Sequence, residues 1–302
     1  MHIRDIINKE QPSFSFEFFP PRSDEASTEL LKTIKELECL NPSYVSITYG
    51  AGGTTRERTH DLVEKILDST CLIPIPHLTC VQHNEEEIST ILKRYINKGI
   101  SNILALRGDL PEDNNNYDRS QDSFQYASDL VQFIKSYCKE QPDKNSELLG
   151  VGVAGFPEGH PNTPNRLKEM DYLKAKVDSG ADYICTQLFF DNHDFFDFKE
   201  RCLLAGINIP IIAGIMPISS MKGLQRMAHL AAGSRFPAKL LKSINRCNSN
   251  AEAIEKVGIQ YATEQCADLL NNNVEGIHFY TLNKSKATRG IFESLGINKI
   301  SI

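Results

Sequence analysis

At 302 residues, 40% of them hydrophobic, the chain can bury one barrel-sized core or two ordinary ones. A net charge of −6 with acids and bases interspersed leaves no basic patch for nucleic acid or an anionic membrane. The longest apolar run, 209–218, is too short for a bilayer and is broken by Pro210 and Pro217, so small-molecule chemistry is the expected occupation.

Residues 1–12 read as a short extension, with no apolar core of signal-peptide length and with acids where a transit peptide lacks them, which favours the cytoplasm. Short apolar or alternating runs bounded by turn residues predict strands at 13–19, 44–50, 73–79, 102–109, 149–156, 183–190, 210–216 and 276–282. Helical patterns lie between them. In 84–99, for example, Asn84 and Glu87 suit a capping box and Gly99 a C-terminal stop. The segments "NKGISNILAL", "DSGADYICTQ", "LAGINIPIIAG" and "VEGIHFYTL" each join a helix-ending glycine to a strand, a weak internal repeat of αβ loops. Eight βα units with no linker predict an α/β chain folded as one (β/α)8 TIM barrel over 1–302. A Rossmann domain would need a glycine fingerprint, and "YGAGGTT" (49–55) lacks G-x-G-x-x-G. The polar stretch 111–123 reads as a mobile crossing loop. Eight cysteines without C-x-x-C spacing, several in apolar runs, read as reduced thiols.

In a barrel the C-terminal strand ends face the active site, which nominates Glu17, Thr48, His77, Asp109, Ala154, Gln187, Met216 and Tyr280. Period-two alternation puts Ser15/Glu17, Ser46/Thr48, Cys185/Gln187 and His278/Tyr280 on inward faces. Phe16/Phe18, Val45/Ile47, Ile184/Thr186 and Ile277/Phe279 would then pack under the helices, leaving a mouth lined with hydrogen-bonding groups rather than a sealed plug. Glu17, in "SFEFFPPR", is either a structural acid paired with an arginine or a catalytic one. His77 and Cys80 lack the third ligand that a catalytic metal requires. "RGD" (107–109) ends an apolar strand and is no adhesion signal. No lysine ends a strand to form a Schiff base, and there is no serine elbow. Carboxylates and neutral hydrogen-bonding groups around a roomy mouth can hold an organic cofactor, and any redox chemistry would have to come from it.

The motifs "SFEFFPPR", "YVSITYGAGG", "PHLTC", "LALRGDLP", "YASDLV", "FPEGHP", "KVDSGAD", "TQLFFD", "GIMPI" and "HFYTLN" run in order from about residue 13 to about 295. In this the chain resembles the methylenetetrahydrofolate reductase family. The resemblance implies an FAD-dependent barrel that reduces 5,10-methylenetetrahydrofolate to 5-methyltetrahydrofolate with NADH or NADPH by a ping-pong cycle, in one-carbon metabolism that feeds methionine synthesis. It implies FAD contacts at Thr48, His77, Arg107, Gly108, Asp109, Tyr126, Ala127, Ala154, His160, Glu169 and Lys176. Asp109 would favour a methylene-iminium cation, Gln187 would hydrogen-bond the folate, and Glu17 would give a proton to folate nitrogen from an apolar, partly dry mouth. Tyr280, Met221 and Lys284 fall where folate or nicotinamide would be met. Met221 departs from a commoner aromatic residue, Lys284 from a commoner arginine and Glu169 from a commoner aspartate. A homo-oligomer is expected, as is the absence of a C-terminal regulatory domain. Two rivals are a pterin-binding barrel that transfers a methyl group without redox chemistry and an idle flavin- or folate-binding subunit. Flavin colour, and its bleaching by NADH or NADPH, would tell them apart.

Overall fold

A computed structural model describes residues 1–49, 56–109, 117–140, 149–230 and 234–297. Most of the glycine-rich stretch and the first half of the crossing loop, 50–55 and 110–116, lie outside the described residues. Eight parallel strands form a closed barrel: β1 (Ser13–Phe18), β2 (Tyr44–Ile47), β3 (Pro74–Thr79), β4 (Asn102–Leu106), β5 (Gly150–Gly155), β6 (Tyr183–Thr186), β7 (Ile211–Ile215) and β8 (Gly276–Tyr280). Each pairs with its sequence neighbours, as right-handed βα crossovers require, and β8 closes on β1. The register sets Glu17 opposite Ser46 on one side and Tyr280 on the other.

All eight predicted strands exist, but several stop short of the expected end. The run 102–109 ends at Leu106, two residues before Gly108, whose φ of +81° turns the chain. A Cβ at Gly108 would also lie 2.9 Å from Thr79 Cβ, so only glycine suits the turn. The run 183–190 ends at Thr186, and Leu188 N–H is taken by the Gln187 side chain rather than by a strand neighbour. Thr48, Asp109, Gln187 and Met216 therefore sit just past their strands, whereas Glu17, His77, Ala154 and Tyr280 lie within theirs.

The outward faces pack as the alternation predicts. Phe14, Phe16, Phe18, Val45, Ile47, Ile184, Ile277 and Phe279 share one buried cluster with residues of the surrounding helices, among them α2 (Asp24–Glu38), α3 (Arg56–Ser69) and α4 (Glu85–Asn97). The shell continues through α5 (Ala127–Glu140), α6 (Arg166–Asp178) and α7 (Asn192–Leu204). Asn84 and Glu87 form the expected capping box at the start of α4.

The inward face differs from expectation in its lower half. Tyr44, Ile75, Leu104, Tyr183, Cys185 and Ile212 fill it as an apolar layer, so the hydrogen-bonding lining is confined to the upper part. Beneath that layer, residues 1–12 are more than an extension. An unexpected helix at the N-terminus, α1 (Ile3–Lys9), adds Ile3, Ile6 and Ile7 to the plug. Ile3 N–H donates to Asn102 Oδ1 at 2.7 Å, and Arg4 pairs with Asp182 at 2.9 Å. Two short helices, α8 (Met221–Leu230) and α9 (Ala238–Asn245), separate β7 from the long α10 (Ala251–Asn271), and α11 (Lys286–Leu295) follows β8. All eight cysteines are free thiols. Among the described residues no helix is long and apolar enough to cross a membrane.

Candidate active site

Glu17 occupies the upper layer, its side chain 19% exposed. Its Oε2 lies 3.5 Å from His77 Nε2 and 3.6 Å from His278 Nε2. Strand alternation turns Phe16 and Phe18 away from it into the helical shell, so the acid faces imidazoles and hydroxyls rather than the apolar surroundings expected. Burial holds the His77 pKa down at about 4, with Glu17 opposing and His278 reinforcing, so the ring is neutral near pH 7, and its buried Nε2 has no hydrogen-bond partner among the described residues. His278 is clamped from below: Ser15 Oγ is 2.7 Å from Nδ1 and Ser46 Oγ is 3.4 Å from Nε2.

The "HFYTLN" segment then fixes the end of β1. Thr281 Oγ donates to Glu17 O at 2.6 Å, and the Asn283 amide pairs with both backbone groups of Phe19. Tyr280 donates to Thr186 O at 2.7 Å, so its hydroxyl is committed, and burial raises its pKa well above the ordinary phenol. Gln187 Oε1 accepts from Leu188 N–H, which leaves its amide N–H groups without a partner among the described residues.

A second group of polar side chains gathers where β4 and β5 end. Arg107 and Asp109 are exposed and make no ion pair among the described residues. Lys176, reaching in from α6, donates to Ala154 O at 2.6 Å, and burial lowers its pKa to about 8, so it remains a cation near neutrality. Both Glu169 oxygens are buried and make no close hydrogen bond among the described residues, and burial raises that carboxyl's pKa, with the nearby His160 backbone N–H, Arg201 and Lys176 opposing. The His160 ring packs edge-on against Phe156 at 4.7 Å, and burial, then Arg107 and Lys176, lower its pKa. Tyr126 and Ala127 start α5, and Asp129 accepts from the Tyr126 N–H at 2.9 Å.

Thus Glu17, His77 and Tyr280 come together in the mouth, while Arg107, Asp109, His160, Glu169 and Lys176 form the adjoining polar flank. Thr48 is half-buried at the top of β2, tied through its backbone to Phe18 and Thr59. Met221 opens α8 and leans on an apolar cluster with Leu188, Met216 and Ile218, and Lys284 is exposed after β8. Tyr280 leans on the same cluster as Met221, whereas no hydrogen bond or ion pair among the described residues links Met221 or Lys284 to Glu17. The described half of the crossing loop is pinned rather than loose: Gln82 N–H donates to Tyr117, which donates to Asp122, and Arg119 donates to Gln125 O. Ser15 and His278 went unnominated, although sharing the inward face with Glu17 and Tyr280 was signal enough.

A sequence profile described as methylenetetrahydrofolate reductase matches residues 2–296. The chain is 37% identical over 300 residues to 5,10-methylenetetrahydrofolate reductase of Escherichia coli (strain K12), covering 97% of this chain and 96% of that protein. It is 38% identical over 304 residues to methylenetetrahydrofolate reductase (NADH) 1 of Arabidopsis thaliana, spanning 98% of this chain and 50% of that longer protein. Among solved structures, an uncharacterized protein from Clostridium thermocellum, described as binding two copies of 5-methyl-5,6,7,8-tetrahydrofolic acid, superposes with a TM-score of 0.65. That match covers 99% of this chain and 100% of the other at 15% identity, a likeness of fold.

Proposed function

The chain belongs to the methylenetetrahydrofolate reductase family, and on that footing we propose that it reduces 5,10-methylenetetrahydrofolate to 5-methyltetrahydrofolate with NADH or NADPH and bound FAD. The placement of Glu17 between His77 and His278 in the upper barrel carries the proposal, because ring opening of the folate needs a proton at the nitrogen that is released. Among the described residues Glu17 is the one carboxylate beside those imidazoles, held in position by Thr281 and the register with Tyr280. Asp109 sets a negative charge where the methylene-iminium cation forms, and the Gln187 amide N–H groups are available to hydrogen-bond the pterin.

The residues fit FAD. Glu169 offers a buried carboxylate to a sugar hydroxyl, and Lys176 and Arg107 offer cations to the diphosphate. His77 Nε2 and Thr48 offer hydrogen-bonding groups to the polar rim of the flavin. The flavin, when bound, supplies hydride transfer between the nicotinamide and the folate. The product would serve one-carbon metabolism and methionine synthesis, and the partners are small molecules met by a cytoplasmic homo-oligomer.

Glu17→Gln tests the assignment. The amide keeps shape but carries no transferable proton, so reduction of methylenetetrahydrofolate should fall by about 10²- to 10⁴-fold. NADH or NADPH oxidation with an artificial acceptor should persist within a few-fold, since hydride transfer to flavin asks no proton of Glu17. Near-parental formation of the methyl product would remove Glu17 from the chemistry.

A further inference from the structure

We propose that Ser234 and Arg235, in the link between α8 and α9, are positioning residues that orient the Gln187 amide toward the folate; the proposal rests on the folate assignment above. It starts from the way the chain leaves β6. The ladder ends at Thr186, and Gln187 N–H makes one last backbone bond, to Gly155 O at 2.7 Å. Side chains then take over. Leu188 N–H donates to Gln187 Oε1 at 2.9 Å, while Leu188 O accepts from Ser234 at 3.2 Å, Phe189 O from Gln265 at 3.3 Å and Phe190 O from Tyr261 at 2.7 Å. Leu188, Phe189 and Phe190 are buried, so their backbone groups need partners, and the three carbonyls find theirs 46 to 76 residues along the chain.

Gln265 and Tyr261 belong to the 21-residue α10, which fixes them. Ser234 stands outside any helix, so its place depends on the two residues that follow. Arg235 N–H and Nε both donate to Glu158 Oε1, at 2.8 and 3.2 Å, and its Nη2 pairs with Asp194 in the first turn of α7. The Phe236 ring lies against Phe190, with centroids 4.7 Å apart. The Arg235 side chain is 61% exposed, but that of Glu158 is 4% exposed and that of Asp194 18%. An ion pair between two solvated groups contributes little, whereas a guanidinium held by two acids, one of them buried, has its geometry fixed by several charge-assisted bonds.

The link acts on Gln187 through one residue. Leu188 is gripped on both sides, its N–H by the Gln187 oxygen and its C=O by Ser234. With Oε1 taken, the Gln187 amide presents two N–H donors, whereas a free side-chain amide can turn over and offer its acceptor instead. Without the Ser234 hydroxyl the Leu188 C=O loses its donor, the backbone after Gln187 can rotate, and Oε1 comes loose. Arg235 works one step further back, by keeping Ser234 where its hydroxyl reaches Leu188. Both residues act on the folate through Gln187.

The test is a double-mutant cycle read by calorimetric titration of the whole chain with 5-methyltetrahydrofolate, in excess FAD held reduced so that the product binds without reacting. Gln187→Ala should weaken binding by about 5- to 30-fold, as one or two hydrogen bonds do. Ser234→Ala, which leaves every ion pair in place, and Arg235→Gln should each weaken it by about 3- to 10-fold in the parent background. In the Gln187→Ala background neither should weaken it further, because no amide remains to be oriented. Should Arg235→Gln fold poorly, the Ser234→Ala cycle alone decides. Parental affinity in Ser234→Ala, or equal losses in the two backgrounds, makes the link a support for the fold alone and overturns the proposal. A Gln187→Ala protein that binds like the parent removes the group to be oriented and overturns it as well, while the folate assignment stands. A parent that does not bind the product sinks both.

Discussion

Asp109 stands one residue beyond the left-handed turn at Gly108, exposed and without an ion pair among the described residues. No hydrogen bond or ion pair among the described residues uses its charge, which makes Asp109→Asn a useful probe of chemistry. If the carboxylate steadies a cationic form of the folate, the amide should slow folate reduction on the order of 10²-fold while FAD stays bound. Reduction of the flavin by NADH or NADPH should suffer less, and rapid-mixing measurement of the two half-reactions checks this. Equal losses would mean that Asp109 holds the flavin. Glu17 is the contrasting case, since its neighbours His77 and His278, the latter held from below by Ser15, tie its environment to the fold.

At the scale of elements, the wall beside β7 depends on one close approach. A Cβ on Gly258 of α10 would come 1.7 Å from Ile218 O, a backbone atom that cannot rotate away. Gly258→Ala must therefore push α10 off the end of the "GIMPI" segment, and overpacking of this kind costs about 1–3 kcal/mol or more. Chemical denaturation should show a lowered midpoint with an unchanged slope. A variant as stable as the parent would mean that α10 is free to shift. The clasp formed by Thr281 and Asn283 on β1 works the other way, closing β8 on β1 through side chains where the ladder ends.

Over the whole molecule, the apolar layer and α1 fill one end of the barrel, so the polar groups of the mouth share the other. If NAD(P)H and folate must use that mouth in turn beside the flavin, initial-rate plots should be parallel lines; intersecting lines would require a second binding surface. Acid sensitivity is a second global property. Burial lowers both His77 and His83 to about 4 from an ordinary 6.5; for His83, Arg56 assists and Glu87 opposes. Between those values the unfolded chain binds more protons than the folded one, so stability present above the unfolded value is lost as pH falls through the window. The thermal midpoint should drop between about pH 7 and about pH 4.5, and His83→Gln should make the drop smaller. An unchanged pH dependence in that variant would mean that His83 does not titrate there.

Local pattern by itself determined the eight strands, their inward and outward faces, the capping box of α4 and the positions of Glu17 and His77, because period-two and period-3.6 burial is written in neighbouring residues. It also carried the family motifs, which follow one another in order along the chain. Tertiary structure alone decided the rest. Strand ends depended on which backbone groups found partners, as at Leu188 N–H, and α1 appeared because Asn102 and Asp182, about 100 and 180 residues away along the chain, supply its anchors. The neighbours of Glu17 came from β3 and β8, brought alongside β1 only when the barrel closes, and the grip of Ser234 on Leu188 joins the link between α8 and α9 to the end of β6. Such contacts join residues far apart in the chain, and no local period encodes them.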